Sequence, residues 1–373
     1  MKSTAPAKPL YHFKGKAGGE WHHGAELIVK LIEKQITLGD DELQKEFIDW
    51  LLTDDKNVFK NKETGEVRFA LAAKRGNPAY ASKKNGTLDE LIEAMSSKEF
   101  DYAPPGYRDD LYRMTRVLFF TLTFSHERYT AEQAWGALRS TCPEGSDFEH
   151  GVLNKFGANI SKIFGTNGKL TCKEADSSGY PAPHVLVILD RPVLVRRHTS
   201  QDGTVTWRLA NDRILKRLGK DKASRSKSFK DVEAATLENP VWKHGMMDVQ
   251  GIIKETGFGK FANSFTYLFK YLIKTISVSK YPELADIGTI KESKNKSLRT
   301  MVYTHFGNKC FRTRDIVFGK AFKERLGLLK ESEPVKPPSV WERILTIPAW
   351  FADEIEPRIR SLEPKDQSRA FTR

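Results

Sequence analysis

Four residues in one short segment have the types and spacing needed to cut a phosphodiester. Tyr267 and Tyr271 are one helical turn apart, and Lys270 and Lys274 each follow a tyrosine by three residues, so on a helix all four share one face. A phenol is a weak nucleophile near neutral pH because its reference pKa is about 10, but a nearby ammonium favours the phenolate and neutralises phosphate charge. The pattern predicts a tyrosine nucleophile supported by lysine, although an ordinary exposed helix face has the same pattern.

The opposite face of this segment is apolar, which is what a helix packed on a core requires. The residues that repeat at helical spacing on that face are Phe265, Leu268, Phe269, Leu272, Ile273 and Ile276.

A histidine upstream opens a strand. Residues 185–189 form a continuous apolar run that follows Gly and Pro residues typical of a strand boundary. Residues 169–175 are the expected partner strand, joined to it by a turn at 176–179. This hairpin would bring Glu174 near His184, and both side chains are ligands for divalent metals. A lone histidine at a strand end is more often structural than a metal ligand, so both interpretations stay open.

Three segments in this order resemble the rolling-circle replication initiators (Rep) of the HUH endonuclease superfamily, most closely the plasmid type. The apolar run at 117–124, which we expect to be a central strand, ends in Thr-Leu-Thr-Phe. Residues 179–186 follow the family pattern Gly-Tyr-Pro-His-x-His-Val-Leu, and residues 267–274 match Tyr-x-x-Lys-Tyr-x-x-Lys without a gap. The stretch 241–250 is similar to the strand that such proteins place before the tyrosine helix. The resemblance covers roughly residues 110–320.

The resemblance implies a fold, a metal and a reaction. The fold would be α+β, a two-layer antiparallel sheet with helices of RRM-like topology. Mg²⁺ or Mn²⁺ would polarise the scissile phosphate at His184 and Glu174. Tyr271 or Tyr267 would attack single-stranded origin DNA, giving a 5′-phosphotyrosyl intermediate and a free 3′-OH, and religation would follow. Lys270 and Lys274 would assist.

One position departs from the family. Ala182 stands where the first histidine of the family pair is expected, and only His184 remains. Another donor, with His126 and His244 as candidates, would complete the site, or the metal would keep more water, or nicking would be lost. Cleavage is the preferred hypothesis because the tyrosine segment is intact. The alternative is a non-catalytic DNA- or RNA-binding module that kept the RRM-like sheet.

Charge agrees with a nucleic-acid partner. The chain has 61 Lys and Arg against 48 Asp and Glu, a formal net charge of +13, which favours polyanions. The stretch 213–230 is predicted to be a flexible basic loop that contacts DNA phosphates, or else a solvated linker. The segment 304–314 is basic and aromatic, and predicts either a surface on which bases stack or a core strand. The candidate DNA-binding residues of the basic stretch are Lys216, Arg217, Lys220, Lys222 and Arg225.

The remaining sequence patterns predict how the 373 residues are divided into regions. We expect a small, mostly helical accessory or DNA-binding region at 1–105, the nicking domain at 110–320, and a helical tail at 335–373. No apolar run is long enough for a membrane span, the N-terminus has no secretory pattern, and three cysteines without metal spacing fit the cytoplasm. No P-loop is present, so a helicase as well as a polymerase would come from the host or plasmid.

Overall fold

The computed structural model describes residues 41–140, 149–219, 239, 241–254, 267, 269, 270, 273–311, 313–329 and 339–371. The chain divides into two compact units. The first takes the chain up to Lys83, Thr275–Thr289 and Ser332–Arg373, and the second takes Lys84–Lys274 and Ile290–Glu331. The sequence predicted three consecutive regions, whereas here the two ends of the chain both contribute to the first unit.

The described helices and strands are given in chain order. They are α1 (Asp41–Leu52), β1 (Asp55–Asn61), β2 (Val67–Leu71), α2 (Pro78–Ser96), β3 (Asp101–Tyr102), β4 (Tyr112–Leu122), α3 (Ala131–Ala137), α4 (Val152–Phe164), β5 (Asn167–Ala175), β6 (Pro181–Thr199), β7 (Val205–Leu209), α5 (Asp212–Arg217), β8 (Met247–Ile252), α6 (Lys296–Cys310), β9 (Ile316–Phe318), α7 (Lys320–Leu326), β10 (Trp341–Pro348), α8 (Ala349–Arg360) and α9 (Pro364–Gln367). Short 3₁₀ turns lie at Pro282–Ala285, Ile290–Glu292 and Ser368–Phe371.

The first unit contains a three-stranded antiparallel sheet in the order β10-β1-β2. Its core joins Val58 and Val67 of the sheet to Ala352 and Ile359 of α8. The N-terminal region therefore contains strands as well as the predicted helices. The helix predicted for the C-terminal tail is wrong over β10, because these β-branched residues pair with β1, and the helix begins only after Pro348.

The second unit is built on a seven-stranded antiparallel sheet in the order β3-β4-β8-β7-β6-β5-β9, with β4 also paired to β6. Strand β4 lies between β6 and β8 over residues 117–121, so the prediction of a central strand is confirmed. The predicted hairpin is also present, since β5 pairs antiparallel with β6 from Asn167 to Ala175. The chain is thus α+β, with antiparallel sheets packed against helices.

Alternate side chains of the second sheet enter different packing layers. Leu170, Cys172 and Leu186 belong to one buried cluster with Leu91 of α2 and Phe322 of α7. Phe119 of β4 belongs to the same cluster. Its neighbour Phe120 points to the other face of the sheet, where its ring meets Phe156 of α4 at a centroid distance of 5.3 Å. Strand β4 therefore presents side chains to two separate environments.

The described part of residues 130–164 contains two helices, α3 and α4, and Gly151 before α4 has a left-handed backbone with φ of 69°. Two predicted segments differ from the structure. The basic stretch 213–230 begins inside helix α5, capped by Asn211, and its part from 220 onward lies outside the described residues. Segment 304–314 is neither strand nor stacking surface, because residues up to Cys310 are helical and His305 and Phe306 are buried.

In the part of the chain that the structure describes, no helix has both the length and the apolar character needed to cross a membrane.

Candidate functional site

A row of side chains crosses four strands of the second sheet. Asp248 of β8 is paired with Thr121 of β4, Thr121 with His184 of β6, and His184 with Cys172 of β5. Directly paired residues of antiparallel strands place their side chains on the same face. Two residues further along the hairpin, Glu174 is paired with Ala182, which puts the carboxylate on the face that carries His184.

The hairpin brings the two predicted metal ligands together. Nε2 of His184 lies 3.5 Å from Oε2 of Glu174, and both residues are buried, each 3% exposed. Nδ1 of His184 lies 3.3 Å from Oγ1 of Thr121, a contact that fixes the plane of the ring. The other carboxylate oxygen of Glu174, Oε1, is buried without a hydrogen-bond partner among the described residues. The pair therefore keeps acceptor capacity that no described residue satisfies.

The charge state of Glu174 reflects opposing effects. Burial raises the pKa of its carboxyl, because a buried anion loses its hydration. The hydrogen bond and charge of His184, and the charge of Lys270, act in the other direction and lower that pKa. Lys270 is thus close enough to Glu174 to act on it electrostatically, although the two residues are far apart in sequence. A cation beside Glu174 stabilises the carboxylate.

Tyr267 lies beside His184 of this pair. Its ring centroid is 5.4 Å from that of His184 in an edge-on arrangement, and Phe119 stacks on the histidine at 5.6 Å and lies 6.2 Å from the Tyr267 ring. Nζ of Lys270 lies 5.4 Å from the Tyr267 ring centroid. Tyr267 is 46% exposed, so a large substrate can reach it. The structure therefore brings a predicted nucleophile and its lysine to the predicted metal ligands.

The described residues of the tyrosine segment have the two faces that its sequence predicts. Tyr267 and Phe269 are helical, and Phe269 is fully buried in the core cluster while Tyr267 faces outward. Lys274 approaches Oγ of Ser297 at 3.4 Å. Tyr271 lies outside the described residues.

The two histidines considered as further metal donors make other contacts. Nε2 of His126 is 3.3 Å from Oδ2 of Asp176, and its ring stacks on Tyr180 at 3.7 Å. Nδ1 of His244 is 2.8 Å from the hydroxyl of Tyr129. Burial lowers the pKa of His244 to about 4, so this ring is neutral near pH 7.

The geometry at Glu174 and His184 fits one divalent ion held by two protein donors. Two ligands at right angles, each about 2.1 Å from an ion, are about 3.0 Å apart, so the observed 3.5 Å needs only a small closure. Within the described ranges, no group of three or more His, Cys, Asp and Glu side chains is arranged to hold a metal. Water and a phosphate oxygen would complete the shell, an arrangement that Mg²⁺ often adopts.

For three residues around the pair, Thr121, Phe119 and Asp248, the sequence predicted no role in the site. Thr121 and Phe119 are two residues apart on β4, so strand alternation places both on the side of His184. Asp248 stands on the same face, where it forms an ion pair with Arg208 and accepts a hydrogen bond of 2.9 Å from Gln250. The alternation within Thr-Leu-Thr-Phe was the signal that could have identified Thr121.

The candidate DNA-binding residues are only partly described. Lys216 is exposed at the end of α5. The guanidinium of Arg217 donates to the carbonyl oxygens of Lys162 and Ile163, the latter at 3.2 Å, and so caps the C-terminal turn of α4. Lys220, Lys222 and Arg225 lie outside the described residues.

Comparison with known proteins found no matching family model, no matching curated protein and no matching solved structure.

Proposed function

We propose that the chain is a rolling-circle replication initiator with an RRM-like, HUH-type nicking domain, which cuts single-stranded origin DNA through a tyrosine. One observation supports this proposal best. Tyr267 comes to 5.4 Å from His184 between ring centroids, and His184 lies 3.5 Å from Glu174. Packing alone explains an aromatic contact, but it does not explain why a buried carboxylate, an imidazole, a phenol and an ammonium converge at one place.

The reaction assigned to Tyr267 is an in-line displacement at phosphorus. The phenol loses its proton, its oxygen bonds to phosphorus, and the bond to the 3′-oxygen breaks, so that the strand carries a free 3′-OH and the enzyme a 5′-phosphotyrosine. Lys270 beside the ring favours the phenolate and offsets the charge of the phosphate. In the reverse reaction a 3′-OH attacks the phosphotyrosine, releases the phenol and reseals a strand, and a second tyrosine, Tyr271, would cleave the regenerated site.

His184 and Glu174 are the residues that would hold Mg²⁺ or Mn²⁺, which when bound withdraws charge from a non-bridging phosphate oxygen. Thr121 and Phe119 position the imidazole by a hydrogen bond and by stacking. Such contacts around a ligating histidine commonly change metal affinity by about 10- to 100-fold when they are removed.

A second candidate function rests on Ala182. This residue faces Glu174 across the hairpin at the position of a family histidine, which leaves a poorer donor set. A nucleic-acid-binding module that stacks a base on the half-exposed Tyr267 ring would need no metal.

A covalent-adduct assay decides between the two functions. Fluorescent single-stranded DNA, supplied as a pool of hairpin oligonucleotides with Mn²⁺, would leave a labelled protein band that survives denaturing electrophoresis. We expect the adduct to disappear in the Tyr267→Phe/Tyr271→Phe variant while DNA binding changes little. Tyr102→Phe is the matched control, because Tyr102 is 49% exposed and Tyr267 is 46% exposed. An adduct that persists in the double variant would refute the tyrosine mechanism, and binding without any adduct supports the binding module.

A further inference from the structure

A cavity of about 470 Å³ lies on the face of β5 opposite to Glu174. Side chains alternate along a strand, and Leu170 and Cys172 turn into the core cluster on the side of His184. Lys169, Thr171 and Lys173 turn to the other side and line the cavity. The cavity is therefore separated from the candidate nicking site by the thickness of the sheet.

Four cationic side chains line this cavity: Lys169, Lys173, Arg139 and Arg314. Its polar lining also includes Ser140, Asn154, Thr171 and Thr313, and none of the described lining residues is Asp or Glu. Hydroxyl, amide, ammonium and guanidinium groups donate hydrogen bonds, and Lys and Arg donate only. Such a lining matches an anion.

Lys173 is buried and Lys169 is partly buried, and both differ from two other lysines of comparable burial, Lys74 and Lys84. Lys74 lies 4.0 Å from Asp55, and Lys84 lies 3.2 Å from Asp315. Lys173 is only 6% exposed, yet among the described residues neither Lys173 nor Lys169 forms an ion pair with a carboxylate, and burial lowers the pKa of both ammonium groups. A buried ammonium without a counter-charge is costly, and neighbouring like charges add to that cost.

Helix α4 adds to the positive potential. This helix of 13 residues begins at the cavity, where Gly151, Leu153 and Asn154 belong to the lining. The N-terminus of a helix carries a partial positive charge and unpaired backbone N–H groups. The buried Lys173 and the helix start thus favour an anion at the same place by independent means.

We propose that this cavity binds a nucleotide through its phosphate group. Inorganic phosphate alone would leave much of the space empty, since cavities of about 300–1,000 Å³ are typical for larger organic ligands. Leu138, Leu153 and Val317 provide an apolar wall against which a base or sugar packs. The phosphate belongs either to a free nucleotide or to a nucleotide unit of a single strand. This assignment does not depend on the nicking reaction.

Calorimetric titration of the full-length protein tests the site, with inorganic phosphate, dAMP and a short oligo(dT) strand as separate probes. We expect dAMP to bind more tightly than phosphate, and Lys173→Met to weaken dAMP binding at least tenfold. Arg314→Ala is a second variant on an exposed residue, and it should weaken binding in the same direction. Lys162→Met is the matched control, because it removes one positive charge from an exposed position of α4.

The melting temperature without ligand gives a further readout. Lys173→Met should raise it, since an unpaired buried charge is removed, whereas loss of a structural role would lower it. If dAMP binds and oligo(dT) does not, the ligand is a free nucleotide; if both bind and compete, it is a unit of a strand. The proposal is overturned if neither binds, or if Lys162→Met weakens binding as much as Lys173→Met. Tyr267→Phe should bind dAMP normally, so this outcome is separate from the nicking mechanism.

Discussion

A histidine introduced at position 182 should strengthen metal binding. Ala182 is paired directly with Glu174 and stands two residues before His184 on the same strand face. Directly paired Cβ atoms are about 4.5–5.5 Å apart, and Ala182 is partly exposed, so an imidazole has both the reach and the space to point at the carboxylate. The Ala182→His substitution therefore offers a third donor to an ion held by Glu174 and His184.

The expected gain can be bounded. Removing a residue that only positions a ligand costs about 10- to 100-fold in metal affinity, so a direct ligand should contribute at least the lower figure. We expect Mn²⁺ to bind at least tenfold more tightly to Ala182→His than to the wild-type chain, which corresponds to about 1.4 kcal/mol. The concentration of Mn²⁺ that supports half-maximal nicking should fall by a similar factor.

Electron paramagnetic resonance of free Mn²⁺ measures this affinity without relying on activity. Ala182→Gln is the control for size and polarity, and it should gain little. His184→Ala alone should lose binding, because Glu174 is then the only donor left of the pair. Combined with Ala182→His it should at most restore wild-type affinity, because one imidazole and one carboxylate are again present. Equal Mn²⁺ affinity in wild type, Ala182→His and His184→Ala would show that this strand does not carry a metal site.

Three further predictions concern stability. His244 has a pKa of about 4 in the folded chain, whereas the reference value for an unfolded chain is about 6.5. Between these values the unfolded chain binds more protons, so the free energy of unfolding should fall by about 2 kcal/mol from pH 7 to pH 5. Urea unfolding of His244→Gln should show that most of this pH dependence is lost. A Cβ at Gly251 would lie 2.6 Å from Cγ1 of Val195, so Gly251→Ala should lower the free energy of unfolding by about 1–3 kcal/mol. Gly136→Ala is its control, because nothing lies within 4 Å and an alanine in helix α3 should be neutral or stabilising. Arg217→Gln should speed hydrogen exchange in the last turn of α4 and leave the rest unchanged, since it removes the donor to two terminal carbonyls; uniform acceleration across the unit would contradict this.

Local patterns predicted the parts of the fold that depend on neighbours in sequence. The contact between Glu174 and His184 followed from a short turn, because a hairpin connection sets the register of its two strands. The outward face of Tyr267 and the buried Phe269 followed from helical spacing. The approach of Tyr267 to His184 joins distant segments, and only the resemblance to the HUH superfamily suggested it.

Features that depend on distant partners were not predicted. Strand β10 has its partner β1 at the other end of the chain, so its own residues gave no sign of the pairing that overrides helix formation. The cationic cavity was also missed, because Lys169 and Lys173 become neighbours of Arg139 and Arg314 only after the sheet and α4 have packed. The alternation along β5 does indicate that Lys169, Thr171 and Lys173 share one face of the strand, since they occupy every second position.

Strand β5 carries residues of two sites of opposite chemical character, so a change in its register affects both sites. Its odd-numbered positions from 169 to 173 line the cationic cavity, while Glu174 lies beside His184. A shift of one residue in register turns every side chain to the other face, so it would exchange Lys173 and Glu174 and place an ammonium beside His184 and a carboxylate among the cations. Pairing with β6 on one edge and β9 on the other opposes such a shift. A single residue inserted within β5 would therefore disable both sites at once, whereas a substitution at one position alters only the side on which it points.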